Sequence, residues 1–241
     1  MFKNEFQGFE NSYVIIGGTA TSIVLDSFKF DGRATKDYDL VITEEGRNQK
    51  FYEKMIKFLK EGGYIPEALG EKGKLYRFTT NNKDYPKILE LFSIQPLKQL
   101  EKIGRTAPLQ FVEGMSLSAL LLDKEYYDLL IKERQINNGY SILSNKGLII
   151  FKAKAWLDLL LRKKEGQKVD SKNIKKHLND IARLTGTLSR DDKVSISDGI
   201  YNDMQLFLKQ LKENMELIPK NDAIVLTPEE IIEILTDLFK R

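Results

Sequence analysis

YVIIGGTATSIVLDSFKFDGRATKDYDLVI, residues 13–42, reads as strand, glycine turn, short helix, basic loop and strand. Tyr13 to Ile16 is apolar and partly β-branched, which suits a buried strand. Gly17-Gly18 breaks the run and lets the backbone turn and approach a ligand with no Cβ in the way. Thr19 is a candidate N-cap for a helix over about 20–28. A helix N-terminus after a glycine turn presents free N–H groups and suits a phosphate. Leu40 to Ile42 suits a second strand, and alternation puts Asp37 and Asp39 on one of its faces. Two adjacent carboxylates repel unless a cation sits between them. Mg²⁺ is the natural occupant, because it takes hard oxygen ligands and keeps water for a substrate phosphate.

Further along, Leu75–Thr79 and Lys87–Ile94 read as two strands joined by the polar turn 81–86. Glu90 lies in the middle of the second, within Ile88-Leu89-Glu90-Leu91-Phe92. A carboxylate buried there without a partner costs several kcal/mol, so Glu90 is either on a solvated face or is held by a cation. A lone Gly-Gly is usually a turn, and a lone Asp-x-Asp is usually an exposed strand edge. Their occurrence in order, with strand and helix between, is what points to chemistry.

Composition sets the frame. With 241 residues, 41% hydrophobic and 30% charged, the chain has room for one large or two small domains of ordinary globular character. No apolar run approaches the ~18 residues of a membrane span, and the N-terminus has no apolar signal core. A cytoplasmic location is expected. The absence of cysteine excludes disulfides and Cys-ligated zinc, and the single His177 excludes a multi-histidine metal site. A net charge of +3 is too mild to argue nucleic-acid binding from the whole chain.

Helical periodicity appears over 47–61, with Phe51, Met55, Ile56, Phe58 and Leu59 on one stripe. Residues 95–113 read as a connection with a short strand over 109–112. From Met115 the chain becomes mainly helical. Helices are expected over 116–134, 146–164, 171–184 and 197–215, with a turn at 137–139. A last helix is expected after the capping box Thr227-Pro228-Glu229-Glu230. The predicted domains are therefore an α/β domain over 1–113 and a helical domain over 114–241. Within 150–185, ten Lys/Arg face four Asp/Glu, a local excess of six positive charges. Such a run is commonly a solvated helix face. Trp156, four residues after Lys152, is more often a core residue than a base-stacking platform.

The Gly17-Gly18-Thr19 turn followed by Asp37-Tyr38-Asp39 resembles the signature of the nucleotidyltransferase superfamily. Lys152-Ala153-Lys154-Ala155, then Arg162, then Lys175-Lys176-His177-Leu178-Asn179-Asp180-Ile181 resembles the second-domain motif of AbiEii-type nucleotidyltransferases of type IV toxin–antitoxin systems. Lys152 matches the family lysine and Asp180 its last acid, while His177 stands where the family often has its first Asp. The resemblance implies an α+β fold, with a nucleotidyltransferase-like mixed sheet, flanking helices and a helical C-terminal domain. It implies that Asp37, Asp39 and a third carboxylate, Glu90, hold two Mg²⁺ ions. Gly17, Gly18, Thr19, Lys152 and Asp180 would bind the nucleotide, while Lys36 and Arg33, just before the acid pair, either bind the triphosphate or are surface charges. Independently of the resemblance, Asp180 lies one helical turn after Lys176 and is placed to hold that lysine or Arg162. The implied reaction moves an NMP from an NTP to an acceptor. That acceptor would be RNA such as a tRNA end, and an antitoxin protein would be the partner. The alternatives are a protein or small-molecule acceptor, or a non-enzymatic member that keeps the fold and only binds.

Overall fold

The computed structural model describes residues 1–32, 35, 37–66, 75–92 and 123–241. The protein is α+β, with a mixed sheet of seven strands among the described residues. In chain order the strands are β1 (Tyr13–Ile16), β2 (Asp37–Ile42), β3 (Ile65–Pro66), β4 (Leu75–Thr79), β5 (Ile88–Phe92), β6 (Arg134–Asn137) and β7 (Tyr140–Leu143). They lie side by side in the order β3-β4-β5-β2-β1-β7-β6. The β1–β2, β3–β4, β4–β5 and β6–β7 pairs are antiparallel, and the β1–β7 and β2–β5 pairs are parallel. The helices are α1 (Phe2–Glu5), α2 (Gly17–Ser27), α3 (Gln49–Glu61), α4 (Lys124–Lys132), α5 (Asn145–Lys164), α6 (Ser171–Thr185), α7 (Asp198–Glu213) and α8 (Pro228–Leu238).

One face of the sheet is closed by aromatic packing. Phe2 of α1 meets Tyr13 and Tyr38 edge-on at 5.5 and 5.2 Å, and Phe58 of α3 at 5.5 Å. Phe6 meets Tyr13 at 6.2 Å and Phe58 at 5.4 Å. The short apolar lead-in thus acts as a lid on β1 and β2, each such pair adding about 0.5–1.5 kcal/mol beyond the area it buries. Helix α3 holds the aromatic stripe against the sheet because Asn48 caps it, its side chain accepting from Phe51 N–H at 2.9 Å.

Two compact units result. The first is Met1–Ile23 with Arg33–Leu143, and the second is Val24–Gly32 with Ser144–Arg241. The chain passes from sheet unit to helical unit after Leu143, further along than the expected boundary at 113, which lies outside the described residues. The reason is a hairpin that helical reading missed. The helix expected over 116–134 ends at Lys132, and Arg134–Asn137 turns into β6. Asn138 and Gly139 both have positive φ, 50° and 76°, as a two-residue type I′ hairpin turn requires. The hairpin returns as β7, whose Ile142 pairs with Ile15 of β1. The segment 95–113, the strand expected at 109–112 and the start of the expected helix at 116 all lie outside the described residues.

In the helical unit, α5 is capped by Ser144, whose hydroxyl accepts from Gly147 N–H at 3.1 Å. Helix α8 has the predicted capping box between Thr227 and Glu230, with Pro228 at its start. Trp156 is fully buried, edge-on to Phe207 of α7 at 5.5 Å, and is a core residue. Among the described residues no helix is long and apolar enough to cross a membrane.

Candidate functional site

Strand β1 ends at Ile16 and α2 begins at once with Gly17. Gly17 has φ +68°, a conformation that disfavours any side chain, and a Cβ built there would overlap Asp39 Oδ2. The Asp39 carboxylate therefore rests against the Cα of the diglycine bend. A Cβ on Gly18 would stand 3.2 Å from Thr35 Cγ2, so this side of the turn is also close-fitting. Thr19 is not an N-cap. It lies inside α2 and is buried, and its hydroxyl donates to the Asp37 carbonyl at 2.5 Å and lies 2.8 Å from Thr35 Oγ1. It ties the first turn of the helix to the start of β2. The helix starts earlier than expected because Gly17 itself makes the bend, and Thr21 Oγ1 donates to Gly17 O at 2.8 Å.

The register decides where the acids stand. Asp39 is paired with Ile16 of β1 on one side and with Glu90 of β5 on the other. Glu90 is paired in turn with Arg77 of β4. Residues opposite each other on neighbouring strands share a face, and so do residues two apart on one strand. Asp37, Asp39, Glu90 and Arg77 are thus on one face, and Tyr13, Tyr38 and the aromatic lid are on the other. Asp37 is exposed, and Asp39 and Glu90 are partly buried.

Arg77 is the residue that sequence reading did not pick out. Its Nε is 3.5 Å from Glu90 Oε1. The available signal was a charge in the middle of Leu75-Tyr76-Arg77-Phe78-Thr79, mirroring the charge in the middle of β5. Asp37, Asp39 and Glu90 are hard-oxygen donors that suit Mg²⁺ in kind, on one face and in adjacent positions. Among the described residues, however, no three His, Asp or Glu side chains are gathered closely enough to hold a metal ion. The acids share a face without forming one coordination sphere, and Glu90 is engaged by Arg77. Lys36 and Arg33 lie outside the described residues.

Lys152 and Asp180 come together inside the helical unit. Lys152 Nζ is 2.8 Å from Asp180 Oδ2, linking α5 to α6 with both side chains buried. Burial pushes the Asp180 carboxyl up, but the charge and hydrogen bond of Lys152 outweigh it and hold the group below the usual carboxylate range. Asp180 was expected to hold Lys176 or Arg162. It holds Lys152 instead, while Arg162 Nε donates to Gln167 at 2.9 Å and Lys176 is exposed. His177 is pushed down to about 3, first by burial and then by the Lys152 charge, so it is neutral near pH 7. Its Nδ1 is buried with no hydrogen-bond partner among the described residues. A groove of about 350 Å³ elsewhere in this unit, lined by Lys212, Met215, Ile232 and Glu233 among others, includes none of these side chains.

No family model matches the chain, and no curated protein does. Among solved structures, the chain aligns with JHP933 from Helicobacter pylori at 14% identity and a TM-score of 0.30, covering 99% of this chain and 87% of that one. So loose a superposition carries no argument about fold or activity. What stands is the class: an α+β protein whose mixed sheet presents a row of charged side chains beside a diglycine bend.

Proposed function

We propose that the chain is a Mg²⁺-dependent nucleotidyltransferase, moving an NMP from an NTP to an acceptor. The observation that carries this reading is the seat of Asp39. Its carboxylate lies against left-handed Gly17, and its partner in register on the next strand is Glu90. We also infer that the sheet is nucleotidyltransferase-like and that the helical unit is its second domain. In this reading Asp37, Asp39 and Glu90 hold the metal ions. Bound Mg²⁺ supplies Lewis acidity for the acceptor hydroxyl and the leaving pyrophosphate. The first turn of α2, with Gly17, Gly18 and Thr19, offers backbone N–H groups to the triphosphate, and Lys36 adds charge beside it. Thr19 keeps that turn fixed to β2. Lys152 and Asp180 enter as a pair, in which Asp180 sets where the ammonium stands and the sequence resemblance assigns that ammonium to phosphate.

By the same resemblance the acceptor is RNA, the protein acts as a cytoplasmic toxin, and an antitoxin protein is its partner. The test is incubation with labelled NTPs, Mg²⁺ and total RNA or lysate, comparing wild type with Asp39→Ala. The expected result is label on RNA with wild type and none with the variant. Label on protein or on a small molecule would change the acceptor and keep the chemistry. A second reading, a chain that keeps the fold and only binds a partner, is favoured by the Arg77–Glu90 ion pair, since a carboxylate with a protein counter-ion needs no metal. No label under any of these conditions would select it.

A further inference from the structure

We propose that the groove between the end of α7 and helix α8 docks an amphipathic helix of a partner protein, one with an apolar row and with Lys or Arg along one flank. The groove lies within the helical unit, and its role does not depend on the nucleotidyl-transfer reading. It has a volume of about 350 Å³, a mostly apolar lining and an open mouth. Ile232 of α8 and Met215, in the short 3₁₀ turn Met215–Leu217 after α7, form its apolar part. Methionine adapts its shape to what packs on it, so half-buried Met215 suits a surface that a partner covers. Lys212 stands on the α7 wall, and Glu229, Glu233 and Asp237 stand on the α8 wall.

The charges on the rim decide what docks. Glu229, Glu233 and Asp237 are four residues apart, so they form one stripe along α8, and like charges at that spacing destabilise a helix. The helix dipole favours Glu229 in the first turn but opposes Asp237 in the last, a turn that holds no basic residue. Among the described residues, none of the three carboxylates makes an ion pair or a hydrogen bond. Lys193 Nζ donates at 2.7 Å to the Asp237 carbonyl and so meets the backbone end of the helix instead of the stripe. Glu230, by contrast, closes the capping box with Thr227. The stripe thus weakens α8 in the free chain, and a cationic partner turns the same charges into attraction. A helix matches it better than a strand. Side chains on one helix face recur about every 5.4 Å, the pitch of the stripe itself, whereas those on one strand face recur about every 6.7 Å. The partner's apolar row then lies on Ile232 and Met215, as an amphipathic helix lies in a groove. Lys212 on the opposite wall gives the two rims opposite signs, which fixes the flank on which the partner is basic.

The test uses the full chain and a fluorescein-labelled synthetic helix, with leucines on one side and lysines along one flank, followed by anisotropy. Circular dichroism and Trp156 fluorescence check that each variant is folded. Wild type is expected to bind the lysine peptide about tenfold tighter than the same peptide with glutamates in place of the lysines, and the difference should shrink as salt screens the rim. Glu233→Lys is expected to weaken the lysine peptide about tenfold and to strengthen the glutamate peptide. Met215→Glu should weaken both, because it sets a charge in the apolar part of the groove. Glu233 is exposed, so its reversal keeps the test decisive if Met215→Glu does not fold. Equal binding of the two peptides, or binding of neither, overturns the proposal. So does self-association of the chain that Met215→Glu abolishes, which would give the groove to a second copy.

Discussion

Replacing Asp180 by Asn should cost the helical unit much of its stability. The Lys152–Asp180 pair joins α5 to α6 at 2.8 Å, with side chains only 7% and 11% exposed. Asn keeps the shape but removes the charge, leaving an ammonium in the interior with no counter-ion. Breaking a buried pair from one side costs about 3–5 kcal/mol. A unit of about 100 residues unfolds in urea with a slope near 1.5 kcal/mol/M, so the midpoint should fall by about 2–3 M. The assay is built into the chain. Trp156 is the sole tryptophan, it is fully buried, and it lies one helical turn after Lys152, so its fluorescence follows this unit's unfolding. The control is Lys152→Met with Asp180→Leu, which removes both charges and should recover most of the loss. A midpoint for Asp180→Asn within ~0.3 M of wild type would refute the reasoning, since a pair worth so little cannot be holding two helices together.

Two further changes follow from the same structure. His177 is near its ordinary 6.5 when unfolded and is pushed down to about 3 by burial and the Lys152 charge when folded. Between those values the unfolded chain binds the extra proton, so stability is complete above about 6.5 and is lost as pH falls toward 3, by at most about 5 kcal/mol. His177→Phe should flatten that limb in urea titrations from pH 7 to 4, and an unchanged slope would count against a buried neutral imidazole. Gly17→Ala places a methyl group on the Asp39 carboxylate at φ +68°, so it should lower the thermal midpoint by the equivalent of about 2 kcal/mol or more, and nucleotidyl transfer with it. A melt indistinguishable from wild type would show that the bend and Asp39 are not in contact.

Some of this was legible in residue order because its physics is local. The apolar run Tyr13–Ile16, the break at Gly17-Gly18 and the run Leu40–Ile42 define two strands and a bend without help from the rest of the chain. The stripe of α3 and the capping box of α8 are likewise set by residues within a turn or two of one another. The hairpin at 134–143 escaped, although Asn138-Gly139 is a hairpin signal. Arg134-Gln135-Ile136-Asn137 is polar, and only pairing with β7, and of β7 with β1, makes it a strand. Thr19 reads as a cap because its position fits one. The partner that claims its hydroxyl is the Asp37 carbonyl, far along the chain.

Sequence alone determined which residue types could do chemistry here: a bend without side chains, a pair of acids two apart, and a third acid in an apolar run. Whether those acids face one another was decided by strand pairing. A slip of one residue between β2 and β5 would put Glu90 on the aromatic-covered face and leave Asp39 opposite a leucine. Leu40, Leu89 and Leu91 are buried on the aromatic-covered side in the observed register, and they meet only when the sheet forms. The same assembly sets Arg77 beside Glu90 and Lys152 beside Asp180, because an ion pair depends on distance in space and residue order carries no distance.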